Sequence, residues 1–158
     1  MTFDRWVDRS GRDVRACVLS RPYEFASPFG GEPFALLLVL CDPTVTNAER
    51  DSLCEAIVAS ACRHVLCSGR DCETWHDVID ETIVGPNPDL DAPMSELLTS
   101  WQLSDWTIAE AVDLVFTCRV FGDAARERYL VAFVGDDAGV RTRYEALVRR
   151  RGDQPPTK

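Results

Sequence analysis

Lysine is almost absent from this sequence: the one lysine is Lys158, the last residue. From Asp71 to Cys118 there is no basic side chain at all, lysine or arginine. Phosphate backbones are gripped by Lys and Arg, so a chain of net charge −9 with such a stretch argues against nucleic acid as a partner. Long apolar runs are missing too. The longest, Phe34 to Cys41, has eight residues, against the ~20 of a membrane-spanning helix. The N-terminus Met1-Thr-Phe-Asp-Arg5 has no apolar core of a signal peptide. Several catalytic and binding signatures are absent as well. No Gly-x-Gly-x-x-Gly follows a strand, no Gly-x4-Gly-Lys-Ser/Thr loop exists, and no Gly-x-Ser-x-Gly elbow occurs. There is no Cys-x-x-Cys pair of the kind that opens a zinc knuckle.

The residues that are present describe a soluble globular chain. At 158 residues it fits one domain large enough to bury a core without staples. Seven cysteines, an odd number, lie mostly inside apolar runs: Cys17, Cys41, Cys54, Cys62, Cys67, Cys72 and Cys118. That usage reads as free thiols in a reducing, cytoplasmic setting. The charge is unevenly placed. The basic-free stretch holds eleven acids, whereas Arg141 to Lys158 carries six basic residues against two acidic ones. An acidic middle is either a solvated face or a negative surface that steers a basic partner.

Periodicity predicts an alternation of strands and helices. Residues 1–33 read as an irregular segment packed on the domain, with Val14 to Val18 as a possible extra edge strand. Phe34 to Cys41 is a strand buried on both faces. The capping box Thr46-Asn-Ala-Glu49 opens a first helix to about Ala61. His64 to Ser68 is a second strand, and a second helix starts near Asp71 and stops at Gly85-Pro-Asn-Pro88. Leu97 to Gln102 is a third strand, followed by a helix capped by Ser104 or Asp105. Tyr129 to Val134 is a fourth strand, and a last helix runs from about Asp137 to Arg150. The domain proper is 34–150, and 151–158 is expected to be a disordered tail. The fold class is therefore α/β: a three-layer sandwich, about four mostly parallel strands with helices on both faces, of the flavodoxin or Rossmann type. The expected strand order is 2-1-3-4. Ligands in such sheets bind beyond the carboxyl ends of the strands where the order reverses. That order brings Asp42-Pro43-Thr44 opposite Trp101 to Asp105, so Asp42, Thr44, Trp101 and Asp105 are candidate binding residues.

The most suggestive chemistry lies in Gly69-Arg-Asp-Cys-Glu-Thr-Trp-His-Asp77. On a helix, Cys72, His76 and Asp80 fall at i, i+4 and i+8, along one ridge. A thiol in the first turn feels the helix dipole, which favours the thiolate. His76 would take its proton, and Asp80 or Asp77 would orient the imidazole. The competing reading is structural: Cys72 packs, and His76 with Asp80 is a surface pair. Trp75, Trp101 and Trp106 either line a pocket or close the rim of the core. Cys67, Cys72 and His76 have a Cys-x4-Cys-x3-His spacing, but they flank a strand rather than a knuckle, and no metal or other cofactor is expected. Asp42 and the pair Asp136-Asp137 sit at strand ends where Mg²⁺ binds in other proteins, although helix capping accounts for Asp136-Asp137.

The pattern Gly69-x-x-Cys72-x-x-Trp75-His76-Asp77, behind a short strand and ahead of one ending in Trp101, resembles an uncharacterised bacterial family of small α/β proteins, a domain of unknown function. The likeness covers roughly Pro28 to Val148 and implies no activity, cofactor or catalytic assignment. The residues favour a non-catalytic module that binds a basic protein, as an immunity-type inhibitor or accessory subunit would. A small cysteine-dependent enzyme on Cys72, His76 and Asp80 is the alternative.

Overall fold

The computed structural model describes residues 2–8, 11–85, 96–118 and 127–152. The chain is α/β, with a mixed six-stranded sheet and four helices. Its elements in order are β1 (Asp4–Val7), β2 (Asp13–Leu19), β3 (Phe34–Leu40), α1 (Asn47–Val58), β4 (Cys62–Gly69), α2 (Cys72–Val84), β5 (Leu98–Trp101), α3 (Ile108–Thr117), β6 (Arg128–Val134) and α4 (Ala138–Gly152). The sheet order is β1-β2-β6-β3-β4-β5. Only the β1–β2 pair is antiparallel.

Strand count and strand order both differ from expectation. The four expected strands are β3, β4, β5 and β6, and read from the β5 edge they lie 3-2-1-4, not 2-1-3-4. The cause is burial. Every residue of β3 is buried, and so are six of the seven in β6, whereas β5 has no buried residue. A strand that must shed water on both faces belongs in the middle, and a half-polar one belongs at the rim. The chain after β5 therefore crosses to the far side of β3 before adding β6. The first 33 residues are also more ordered than expected. Val14 to Val18 belong to β2, which is an interior strand between β6 and β1, and β1 is the true edge.

Alternation within the strands divides the core in two. Leu36, Leu38 and Leu40 pack with Leu53 and Ile57 of α1 and Trp75 and Ile79 of α2. Leu37 and Val39 pack with Val112 and Val115 of α3 and Tyr144 and Val148 of α4. This is the period of two of a sheet covered on both faces.

Local signals set the helix starts. Thr46 and Glu49 form the anticipated capping box of α1. For α3 the cap is Thr107, not Ser104 or Asp105, and Glu110 completes a second capping box. That Thr-x-x-Glu spacing was readable and competed with two earlier polar residues. At the other end, α4 continues through Arg151 and Gly152, so these two are helical rather than part of a tail. Residues 153–158 lie outside the described residues.

Candidate functional site

The sequence-predicted residues fall into two separate places. Asp42 and Thr44 stand at the end of β3, whereas Cys72, Trp75, His76, Asp77 and Asp80 are on α2 beside β5. Trp101 ends β5 and Asp105 lies in the loop after it. The expected crevice between Asp42 and Trp101 does not form, because β6 and not β5 is the neighbour of β3 there.

The order reverses between β3 and β6, and that point is closed. The backbone N–H groups of Cys41 and Asp42 both donate to the Val134 carbonyl, at 3.0 and 2.9 Å. Gly135 follows with φ of +86°, and a Cβ there would come within 2.7 Å of the Asp42 Cβ. Only glycine allows that approach at that dihedral. Asp42 is fully engaged by its own neighbourhood. It accepts from the Thr44 N–H at 2.7 Å, from the Thr44 hydroxyl at 2.6 Å, and from the Tyr23 hydroxyl. The Thr44 and Tyr23 hydroxyls hold its carboxyl down at about 2. Burial and the Asp42 carboxylate push the Tyr23 phenol up to about 12. Arg21, above the Tyr23 ring, donates to Glu49 at 2.7 Å and to the Thr44 carbonyl at 2.6 Å. Sequence reasoning missed Arg21, Tyr23 and Glu49 here, since no spacing links them to Asp42. Asp137 accepts from the Val140 N–H at 3.0 Å, so it caps α4. An open cavity of about 1070 Å³ lies nearby, between Ser20–Ala26, Ser52 of α1 and Arg141 of α4, and none of the predicted site residues lines it.

The ridge on α2 is assembled differently from a catalytic dyad. Gly69 turns the chain closely over β3: a Cβ there would sit 2.8 Å from the Leu40 carbonyl oxygen. Asp71 takes the left-handed conformation at φ of 52° and makes no side-chain cap. Cys72 opens the helix half-buried, and its Sγ contacts the Gln102 carbonyl at 3.4 Å. Burial raises its pKa above the ordinary thiol value, opposed by backbone hydrogen bonds. Burial does the same to every other cysteine, Cys41 reaching about 11 and Cys17, Cys54 and Cys62 about 12. All seven are free thiols. His76 is buried beneath α2. Its Nδ1 is 3.2 Å from Asp77, its Nε2 is 3.4 Å from Asp80, and its ring lies 4.3 Å from that of Trp101. Asp80 also accepts from the Thr99 hydroxyl at 2.6 Å. Trp75 is in the core, not in a pocket. Among the described residues no group of three or more His, Cys, Asp or Glu could hold a metal ion.

Gln102 anchors a second cluster that the sequence did not announce. Its N–H donates to the Cys67 carbonyl at 2.9 Å, and its side-chain amide donates to the Trp106 carbonyl at 2.9 Å. That fixes its Oε1 as acceptor for the buried Ser68 hydroxyl at 2.5 Å. Ser68 has one hydrogen, so the Tyr144 hydroxyl, 2.6 Å away, donates to it.

Residues 14–151 match the family described as a domain of unknown function (DUF7684). The chain belongs to this family. The matched span takes in β2 through Arg151 and hence both clusters above, so the family unit is almost the whole sheet with its four helices. No curated protein and no solved structure matches the chain. Among the described residues no helix is long and apolar enough to cross a membrane.

The acids of the middle stretch are split by the fold. On α3, Glu110 closes the capping box and Asp113 pairs with Arg151 at 2.9 Å. On α2, Glu73, Asp77 and Glu81 are exposed, and Glu96 is exposed just before β5. Asp105 is exposed in the loop beyond β5, and Asp89 and Asp91 lie outside the described residues.

Proposed function

We propose that the protein is a non-catalytic binding module that docks a basic protein, as an immunity-type inhibitor or an accessory subunit of a regulatory system does. One observation carries this reading. The exposed carboxylates Glu73, Asp77 and Glu81 line α2 on a stretch of sequence without Lys or Arg, whereas Glu96 just before β5 is paired with Arg63 at 3.0 Å. Such a surface speeds encounter with a positive partner and rejects negative ones. The attraction is screened over a Debye length of ~10 Å at 0.1 M salt, so association weakens as salt rises.

A cysteine-dependent enzyme is the competing reading. It needs a thiolate at Cys72, and burial weighs against one, a rise that backbone hydrogen bonds oppose without reversing.

A photo-crosslinking residue at Thr74, exposed on α2, tests the proposal in cells. The expected adduct is with a basic protein. It disappears when Glu73, Asp77 and Glu81 are all changed to Lys, and the purified pair separates at high salt. An adduct with a neutral or acidic protein, or one indifferent to the three changes, overturns the reading.

A further inference from the structure

We propose that the outer edge of β5 is the docking line itself: an extended segment of the partner, alternating basic and apolar residues, joins the sheet as an added strand. This rests on the acidic-module reading and gives it a geometry.

Among the described residues, strand β5 ends the sheet. The Gln102 N–H points inward to the Cys67 carbonyl of β4. Backbone direction alternates along a strand, so Leu98 and Ser100 also point inward while Thr99 and Trp101 point outward. The outward N–H and C=O groups of Thr99 and Trp101 have no partner among the described residues. Unpaired ladder groups at a sheet edge are the template on which added strands form. The side chains of the same two residues are pinned from behind. Thr99 donates to Asp80, and Trp101 packs on His76. The edge is thus held in place before a partner arrives, which lowers the ordering cost of binding.

The flanks say what the partner carries. Around α2, at about 100° per residue, Trp75 and Ile79 mark the core side and His76 and Asp80 the side over β5. Glu73 comes next, about 160° from Trp75, beside the half-exposed Asp80 carboxylate at about 140°, so these two carboxylates stand nearest the space beyond β5. Asp77 at about 200° and Glu81 at about 240° lie on the outward, solvent side of α2, and Glu73, Asp77 and Glu81 are all exposed. On the opposite face of the sheet the neighbouring side chain is Leu98, 53% exposed. A strand laid beside β5 sends alternate side chains to these two faces. Those on the α2 side meet carboxylates and are best Lys or Arg. Those on the other side meet Leu98 and are best apolar.

The probe is a short labelled peptide alternating Lys and Val, compared with a scrambled peptide of the same composition. The expected result is tighter binding of the alternating peptide, with slowed amide hydrogen exchange at Thr99 and Trp101. Because the Thr99 N–H points outward, Thr99→Pro removes a docking donor without removing a ladder bond. It also loses the Thr99 hydroxyl bond to Asp80, so Thr99→Val, which loses only that bond, is the reference. Against it, Thr99→Pro should weaken binding about tenfold or more. Charge reversal at Glu73 should also weaken binding, most at low salt. If reversal weakens both peptides equally, exchange is unchanged and Thr99→Pro has no effect, the strand geometry is wrong although the acidic reading stands. If reversal changes nothing, both are wrong. If the protein alone forms a dimer that Thr99→Pro disperses, the occupant is a second copy and the partner proposal is overturned.

Discussion

Acidification from pH 7 to pH 4.5 should destabilise the fold chiefly through His64, a residue far from any charged partner. His64 lies in β4 with 2% of its surface exposed, its Nε2 2.8 Å from the Ser100 hydroxyl and its buried Nδ1 without a partner among the described residues. Burial disfavours the imidazolium and lowers its pKa from 6.5 to about 4. The folded value is depressed, so the neutral ring is what the fold favours. The corresponding stability is complete above pH 6.5, where both states are neutral. It is lost as pH falls, because the unfolded chain takes up a proton that the folded chain refuses until about pH 4. Two-state linkage between these values gives a loss of about 2–3 kcal/mol by pH 4.5, a large part of a typical total of ~5–15 kcal/mol. Urea unfolding at steps between pH 7 and 4.5 measures it, with His64→Gln as reference. Glutamine keeps a neutral polar group facing Ser100 and does not titrate. The variant starts less stable and should lose about 2–3 kcal/mol less than the wild type across the window. Equal losses in the two proteins would refute the argument. Asp42 and Glu49, each held at about 2 by hydrogen bonds and Arg21, act below this window: their contribution is present above their ordinary values and fades only as pH drops further.

Three further outcomes follow from particular contacts. Gly135→Ala places a Cβ 2.7 Å from that of Asp42 at φ of +86°; strain and overpacking together should cost about 3 kcal/mol by denaturant titration, and a cost below ~1 kcal/mol would show that the β3–β6 junction is looser than described. Tyr144→Phe removes the donor to the buried Ser68 hydroxyl and should destabilise by ~1–2 kcal/mol, with Ser68→Ala on the same background adding less than it does alone. Cys72 should alkylate more slowly at pH 7 than an unhindered thiol, its rate still rising above pH 9, since burial raises its pKa; rapid labelling below pH 7, lost in His76→Ala, would restore the cysteine-enzyme reading.

Much of the fold was written in local patterns. The eight-residue apolar run and the alternation of strands and helices located β3 to β6 and all four helices, because periodicity and capping are properties of neighbours in the chain. Strand order is not such a property. It could still have been approached through burial: Leu98-Thr-Ser-Trp101 is too polar for the middle of a sheet, and Tyr129 to Val134 is too apolar for its edge. Ranking the strands by apolarity puts β6 beside β3 and β5 at the rim. Strand β2 was harder, since Asp13-Val-Arg-Ala-Cys-Val-Leu19 alternates like an edge strand. Its polar members are paid for by partners no pattern shows, Asp13 by Arg5 and Arg15, and Arg15 by the Pro28 carbonyl.

The candidate site was legible only where its members share a helix. Spacing placed His76 and Asp80 on one ridge, and they do meet. The same spacing suggested Cys72 as the third member, but what each residue touches is decided from across the sheet edge. Gln102 takes the Cys72 contact, Trp101 covers the His76 ring, and Thr99 holds Asp80, so all three partners come from β5 and its end. A helical ridge predicts which side chains lie above one another; it does not predict which of them the next strand will claim. Here that strand claims all three, and doing so fixes β5 against α2 while its other edge has no partner among the described residues. The residues that looked like a reaction centre are, on the docking proposal, the frame that holds a binding edge beside the carboxylates of Glu73 and Asp80.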